Sequence, residues 1–159
     1  MRYYPIFVNL KGRPVVVIGG GAVAERKVTT LLKAGAEVTV ISPSFTPRLS
    51  IWSVRKRIKG LRRRYRRGDL SRAVLAFTAT DDGEVNRAVA REAERKNIFI
   101  NIADQSTTEG FIVPALFTRR DLMIAVSTSG KSPAVAKKVR DHLRSALEDF
   151  GNLIKRNPA

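Results

Sequence analysis

The segment Gly19–Ala24, GGGAVA, has the residue types and spacing needed to bind phosphate groups. It matches the pattern Gly-x-Gly-x-x-Ala, in which the first glycine permits a tight turn and the second lets the backbone approach a pyrophosphate. Phosphates would lie against free N–H groups at a helix N-terminus, where the helix dipole also favours negative charge. This glycine turn predicts a dinucleotide site that includes Gly19, Gly21, Ala22, Val23 and Ala24.

The part of the pattern that should contact the ribose is less regular. About 20 residues after the glycine turn, where a carboxylate is usual, the chain has Ser42, Pro43 and Ser44. Ser42 and Ser44 could hydrogen-bond a ribose, and Arg48 could accommodate a 2′-phosphate, although serine after a strand is also an ordinary turn residue. We expect NAD as the cofactor, and these residues leave NADP open.

Carboxylates follow two of the later predicted strands. Asp104 comes after one strand, and Asp81 and Asp82 come after another. Open α/β sheets bind ligands outside the carboxyl ends of their strands, so these side chains could line one crevice and Asp104 could act as a general base. Aspartate is also a common turn and cap residue, and Asp82 is well placed to cap a following helix.

The elements that would position these residues alternate between strands and helices. Short β-branched runs bounded by Pro or Gly are typical of buried parallel strands, and helical spacing of apolar residues marks the segments between them. The pattern predicts an α/β fold, a Rossmann-type doubly wound parallel sheet, over residues 1–108. The predicted strands are Pro14–Ile18, Glu37–Ile41, Ala73–Thr80 and Ile98–Ile102, and the predicted helices are Ala22–Ala34 and Gly83–Lys96.

After Asp104 the pattern changes to short strands without crossover helices, which favours antiparallel pairing. We expect a small strand-and-helix dimerisation region over residues 109–159, because so short a sheet lacks enough cover of its own. Its predicted elements are strands Gly110–Pro114, Ala115–Thr118 and Leu122–Ser127 and a helix Ser132–Phe150. The helix carries His142, which we expect to be solvated, and no metal site is expected.

Composition restricts the chemistry and the partners. The chain has no cysteine, which excludes a disulfide framework and a thiolate nucleophile, so redox chemistry would need a bound cofactor. Its net charge of +16 favours anionic partners, whether nucleic acid, an acidic membrane surface or a polyanionic small molecule. The arginine tract, Arg55–Arg67, contributes nine of the 30 basic residues. No run approaches the roughly 18 apolar residues of a membrane span, and we expect a cytosolic protein.

Beyond the glycine turn, the order and spacing of several segments resemble the sirohaem synthase N-terminal family, and the resemblance extends through Leu147. The segments are Tyr4–Phe7, Gly19–Lys27, Ala34–Ala36, Ala79–Asp82 with Asn86, Asn101–Asp104, Phe111–Pro114 and Ser127–Pro133. The resemblance implies an NAD-dependent, homodimeric precorrin-2 dehydrogenase that forms sirohydrochlorin on the way to sirohaem. Some members of the family also insert iron into sirohydrochlorin, so a ferrochelatase or a bifunctional enzyme is an alternative.

The resemblance also assigns roles to individual residues. It implies that Asp104 is catalytic and that Ala22, Val23, Pro43 and Ser44 contact the nucleotide, and we add Thr80 to the cofactor site. Because the implied substrate is a polycarboxylate, Ser127, Thr128 and Lys131 could hold it through hydroxyls, N–H groups and charge. The same segment could equally be a capped helix start with Pro133 in the first turn.

A different class of function remains for the arginine tract. The tract could bind the phosphates of a nucleic acid, with Tyr65 stacking on a base. The tract lacks a recognisable nucleic-acid-binding motif, and its basic residues can equally form a solvated strand face around Ile58, Leu61 and Tyr65. We therefore expect a tetrapyrrole substrate rather than nucleic acid.

Overall fold

The computed structural model describes residues 3–103 and 110–149. The chain divides into two compact units, Pro5–Phe111 and Met1–Tyr4 with Ile112–Ala159. In the described ranges, no helix combines the length and the apolar character that crossing a bilayer requires.

The first unit is built on a five-stranded parallel sheet with the order β3-β2-β1-β4-β5. Its strands are β1 (Pro14–Ile18), β2 (Glu37–Ile41), β3 (Lys59–Leu61), β4 (Leu75–Thr78) and β5 (Phe99–Ile102), and its helices are α1 (Ala22–Lys33), α2 (Pro47–Val54) and α3 (Gly83–Arg95). The strand order reverses at β1, so the predicted α/β fold is confirmed and the glycine turn lies at the switch point.

The central strand explains why the sheet is buried on both faces. Val15 to Ile18 of β1 are all buried, with Val15 and Val17 in one core cluster and Val16 and Ile18 in the other. Helix α1 and helix α2 cover the first face, and helix α3 contributes to the second. A continuous apolar run is what a strand covered on both faces requires.

Helix α2 was not predicted from the sequence. Thr46 caps it, since its hydroxyl accepts a hydrogen bond from the Leu49 N–H at 3.3 Å, and Pro47 occupies the first turn. Its eight residues bury Leu49 and Trp52 against the sheet. So short a helix gives only two turns of periodicity, and its formation depends on burying those side chains.

The connection from β3 to β4 contains no helix and holds much of the arginine tract. The hydroxyl of Tyr65 donates a hydrogen bond to the Glu92 carboxylate, which is only 1% exposed. That carboxylate also accepts the N–H groups of Gly68 at 2.8 Å and Leu70 at 3.1 Å. The segment, which we call the polar crossover (residues 62–74), is therefore anchored to helix α3 by a buried carboxylate.

Burial and hydrogen bonding shift the pKa values of the ionisable side chains in and around the polar crossover. Burial, followed by the hydrogen bond to Glu92, raises the pKa of the Tyr65 hydroxyl. Burial alone would raise the pKa of Glu92, but its hydrogen bonds together outweigh burial and the pKa lies below its ordinary value. Arg63 forms a two-pronged pair with Asp69, with N–O distances of 2.8 and 2.7 Å, and this pair lowers the pKa of the Asp69 carboxyl.

The second unit consists of an antiparallel pair, β6 (Ala115–Arg119) and β7 (Leu122–Val126), with helix α4 (Pro133–Asp149) packed on both strands. The predicted strand Gly110–Pro114 is wrong. Gly110 adopts a left-handed φ of +92°, and the Phe111 N–H bonds to the Ile100 carbonyl, a contact within the first unit. Pro114 has no N–H to donate to a ladder, so the segment does not pair as a strand.

Candidate dinucleotide site

Three consecutive glycines in the glycine turn meet different surroundings. Gly19 has a φ of +123°, and a Cβ there would lie 2.2 Å from the Ala79 carbonyl oxygen after β4. A Cβ on Gly20 would lie 1.9 Å from the Ser44 carbonyl oxygen after β2. Gly21 has no atom within 4 Å of such a Cβ. The first two glycines pack the turn against its neighbouring loops, and the third leaves open space.

Helix α1 begins at this open space without a side-chain cap. Gly21 is its N-cap with extended φ and ψ of −85° and −171°, and no side chain accepts from the first turn. Ala22 and Val23 are exposed, whereas Ala24 is fully buried against the sheet. The first N–H groups of a helix lack intrahelical partners, so this end fits a pyrophosphate without any side chain in its way.

The loop after β2 lies beside the glycine turn. Ser42 is buried, and Pro43 and Ser44 are exposed. The Gly20 carbonyl accepts the Thr46 N–H at 2.9 Å, which holds the loop against the turn. These contacts place the predicted ribose residues next to the predicted phosphate residues.

Arg48 is already engaged by groups of the protein. Its guanidinium lies 3.7 Å from the Glu25 carboxylate and 4.8 Å from the centre of the Trp52 ring. Glu25 also accepts the Thr46 hydroxyl at 2.6 Å. The cation that could have met a 2′-phosphate therefore has a carboxylate beside it.

Asp81 and Asp82, two candidate residues in the loop after β4, have different surroundings. Asp82 is the N-cap of α3, because its Oδ1 accepts the N–H groups of Glu84 at 3.0 Å and Val85 at 3.1 Å. The capping interpretation of Asp82 is thus confirmed, and Asp81 is exposed. Thr80 is half-buried, and its hydroxyl accepts the Asp82 N–H at 3.1 Å.

Asp104, the predicted catalytic base, lies outside the described residues. The strand that precedes it carries a contact that the sequence analysis missed. Lys27 of α1 donates to the Asn101 side-chain oxygen at 2.7 Å, and its Nζ lies 5.1 Å from the centre of the Phe77 ring. The available signal was a basic residue at a half-buried position of an amphipathic helix.

In the second unit, two of the predicted substrate residues share a cavity of about 250 Å³. Ser127 and Thr128 line it, and so do the cationic side chains of Lys137 and Arg140 on α4, which the sequence analysis did not single out. Lys131 is exposed and is not among the lining residues. The structure therefore brings two hydroxyls and two cationic side chains together, and the Arg140 guanidinium is already paired with the Asp141 carboxylate at 2.7 Å.

The Ser127–Ser132 segment also begins helix α4. The Thr128 hydroxyl accepts the Ser132 N–H at 2.8 Å and donates to the Ser132 carbonyl at 3.0 Å, and the Ser132 hydroxyl accepts the Val135 N–H at 3.3 Å. These bonds confirm that the segment serves as a helix start. The cavity beside it is compatible with a second role.

No group of three or more His, Cys, Asp or Glu side chains that could hold an ion occurs within residues 3–103 and 110–149. His142 is exposed on α4.

The parallel sheet, the glycine turn at its switch point and the uncapped helix behind it define a Rossmann-type dinucleotide-binding protein. Residues 6–115 match the family described as putative NAD(P)-binding, and residues 119–146 match the family described as sirohaem biosynthesis protein central. The chain therefore belongs to the NAD(P)-binding family of sirohaem biosynthesis proteins. The dinucleotide cofactor expected from the glycine turn is confirmed as an NAD(P) nucleotide.

Individual relatives agree with this assignment. A sirohaem synthase of Methylobacillus flagellatus is 44% identical over 92% of the chain, and one of Thioalkalivibrio sulfidiphilus is 41% identical over the same share. The chain spans only 32% and 30% of those two relatives. Among solved structures, SirC, a precorrin-2 dehydrogenase, is 30% identical with a TM-score of 0.78, and the match covers 91% of this chain and 71% of SirC.

Proposed function

We propose that this protein is a precorrin-2 dehydrogenase that oxidises precorrin-2 to sirohydrochlorin with NAD. The observation that carries the proposal is the likeness to SirC, a precorrin-2 dehydrogenase, over 91% of the chain. The sirohaem synthase relatives support the same pathway, although the chain spans about a third of their length.

The proposed cofactor site follows from the turn geometry. The N–H groups of Ala22, Val23 and Ala24 hold the pyrophosphate, and Gly19 and Gly21 keep the approach free of side chains. Residues Ser42 to Ser44 hold one ribose, and Thr80 lies on the other side of the turn. NAD is preferred to NADP because the Glu25 carboxylate beside Arg48 would repel a 2′-phosphate.

In the proposed reaction precorrin-2 loses two hydrogens, one as a hydride and one as a proton. Oxidised NAD, when bound, supplies the hydride acceptor. Asp104 accepts the proton and releases it to solvent, which returns the carboxylate to its starting state. In the sequence Asp104 follows β5, and open α/β sheets bind ligands outside the carboxyl ends of their strands.

The substrate is a polycarboxylate, and the protein is strongly basic. Ser127 and Thr128 bind carboxylates of the substrate at the 250 Å³ cavity, where Lys137 and Arg140 supply positive charge. Lys131, which does not line the cavity, binds a further carboxylate of the substrate. A net charge of +16 would raise the rate of encounter with such a substrate, most strongly at low salt. The proposal places the protein in the cytosol.

The same proposal includes a homodimer formed through residues 110–150. On α4, Val135, Val139 and Leu143 form an exposed apolar stripe at a spacing of four residues, with 47%, 43% and 36% of each residue exposed. Leu116 and Met123 add exposed apolar surface on the strand pair. A second copy of the chain would cover these residues, and sedimentation showing a monomer at micromolar concentration would contradict this part of the proposal.

The function is tested by anaerobic incubation with precorrin-2 and NAD, following NADH absorbance and the sirohydrochlorin spectrum. Asp104→Asn should reduce the rate by roughly 10²–10⁴, because the amide keeps the shape but cannot accept the proton. NAD affinity and thermal stability should stay at wild-type values. Asp121→Asn, at an exposed turn residue, is the matched control and should keep full activity.

Two results would contradict the assignment. Absence of precorrin-2 oxidation by the wild-type protein removes the proposed reaction. An Asp104→Asn rate within about threefold of wild type removes Asp104 as the base, because that loss is far smaller than general-base catalysis contributes. Asp81, exposed after β4, is then the next residue to test.

A further inference from the structure

A cavity of about 510 Å³ lies between the polar crossover and helix α3. Arg67 and Gly68 line it from the polar crossover, and Glu92, Arg95 and Lys96 line it from the C-terminal end of the helix. None of these five residues has an apolar side chain. Small-molecule pockets are usually lined mainly by apolar groups, so an occupant of this cavity would have to be held by charge.

The positive charges of the cavity are not neutralised by the protein. Within residues 3–103 and 110–149, Arg67, Arg95 and Lys96 form no ion pair, and all three are exposed. The Glu92 carboxylate lies beside them, but it accepts three hydrogen bonds from the polar crossover. Three cations and one carboxylate leave two positive charges in excess around one concave surface, which concentrates the field there.

The position of these cations is not explained by the helix end alone. Basic residues in a last helical turn interact favourably with the helix dipole, which accounts for Arg95 and Lys96. Arg67 comes from a separate segment and converges on the same cavity. Its neighbour Gly68 has a φ of +102°, and an added Cβ would meet no atom within 4 Å, so the cavity stays open on that side.

The cavity is also separate from the glycine turn. Helix α3 begins at its Asp82 cap, in the loop after β4 whose Ala79 carbonyl packs against Gly19. The helix has 13 residues and is about 20 Å long at 1.5 Å per residue, and the cavity lies at its far end. An anion in the cavity would therefore not compete with a dinucleotide.

We propose that this cavity is a second anion site, which binds an oligophosphate through the Arg67 and Arg95 guanidinium groups and the Lys96 ammonium. A guanidinium can donate two parallel hydrogen bonds to phosphate oxygens, and an ammonium adds a point charge. A volume of about 510 Å³ exceeds what one phosphate group fills, so two or three linked phosphates suit it. Because the lining residues offer no apolar side chain to stack on a base, inorganic tripolyphosphate and ATP should bind alike.

The experiment is a calorimetric titration with sodium tripolyphosphate at about 0.15 M salt, which screens non-specific attraction to a basic protein. One site per chain is expected. Arg95→Gln should weaken binding by roughly tenfold or more, the scale of a lost hydrogen bond between charged groups. Arg91→Gln, an exposed arginine one turn earlier on the same helix that does not line the cavity, is the matched control and should stay within twofold.

A second pair of variants tests the other wall. Arg67→Gln should weaken tripolyphosphate binding as Arg95→Gln does, whereas Arg64→Gln, an exposed arginine of the polar crossover outside the cavity, should not. This pair decides the question if Arg95→Gln fails to fold. The amide resonance of Gly68 should also shift on addition of tripolyphosphate, and an unchanged resonance would contradict the site.

Further arms identify the ligand and exclude the dinucleotide site. ATP should bind within about threefold of tripolyphosphate, and ATP binding more than tenfold tighter would overturn recognition by phosphates alone. Citrate, which carries three carboxylates, should bind at least tenfold more weakly, and equal affinity would show a site without preference for phosphate. Saturating NAD should leave tripolyphosphate affinity unchanged. Loss of tripolyphosphate binding in NAD would place the anion at the glycine turn and overturn the proposal, as would binding that does not saturate.

Discussion

Two connections between parallel strands of the same sheet are built in opposite ways. The connection from β1 to β2 is helix α1, which buries Ala24, Val28 and Leu31 and begins at the open glycine turn. The connection from β3 to β4 is the polar crossover, which contains no helix. Apolar packing holds the first connection, and hydrogen bonds to a buried carboxylate help to hold the second.

The difference explains how an extreme charge is compatible with an ordinary core. In the polar crossover Leu70 and Ala73 are buried and Tyr65 packs against the core, while Arg64, Arg66 and Arg67 are exposed. The Tyr65 hydroxyl bonds to Glu92, and its ring is partly buried against the core. The exposed arginines of the polar crossover thus lie on the surface of a segment that a few uncharged residues and one buried glutamate hold in place.

The largest effect on stability should come from removing the carboxylate that anchors the polar crossover. Glu92→Ala leaves the Tyr65 hydroxyl and two backbone N–H groups without their acceptor, and we expect a loss of about 2–4 kcal/mol in the free energy of unfolding. Urea denaturation measures it. Glu94→Ala, at an exposed position of the same helix, is the control and should change stability by less than about 0.5 kcal/mol.

Equal losses in these two glutamate variants would contradict the comparison, since the polar crossover would then be held by apolar packing alone. Acid gives an independent check. The folded-state pKa of Glu92 is lowered, so its contribution is complete above the ordinary carboxyl pKa and is lost as the pH falls through the lowered value. The stability difference between wild type and Glu92→Ala should shrink in that acidic range.

A smaller effect on stability is expected at the crowded glycine that precedes α1. Gly20→Ala forces a methyl group to within 1.9 Å of the Ser44 carbonyl, and the required backbone shift should cost about 1–3 kcal/mol. Gly21→Ala is the matched control, because nothing lies within 4 Å of the added Cβ. Thermal unfolding of both variants measures the difference, and equal stability would mean that the loop after β2 does not press on the turn.

The smallest effect on stability, with a clear effect on binding, is expected for Gly21→Asp. Aspartate is a favourable N-cap, so folding should be unchanged within about 0.5 kcal/mol or slightly improved. NAD affinity should fall by about tenfold or more, equivalent to about 1.4 kcal/mol, because the carboxylate meets the pyrophosphate. Gly21→Asn, with the same shape and no charge, separates repulsion from bulk. Unchanged NAD affinity of Gly21→Asp in calorimetry would remove the proposed phosphate site.

The local sequence determined the elements whose signals are contained within a few residues. The β-branched run Pro14–Ile18, the glycine turn and the periodic helix after it predict the βαβ unit, because strand burial, turn geometry and helix amphipathicity all depend on near neighbours in the chain. The N-cap at Asp82 is equally local, since a cap requires only a side-chain oxygen two or three residues before its partner N–H groups.

Tertiary structure decided what depends on residues far apart in the chain. Glu92 reaches Tyr65, Gly68 and Leu70 across more than 20 positions, so the sequence could not show that the polar crossover would be anchored without a helix. Lys27 meets Asn101 across 74 positions. Short helix α2 and the crowding at Gly20 likewise arise only when the sheet brings separate loops together, because burial and close approach are properties of the packed chain.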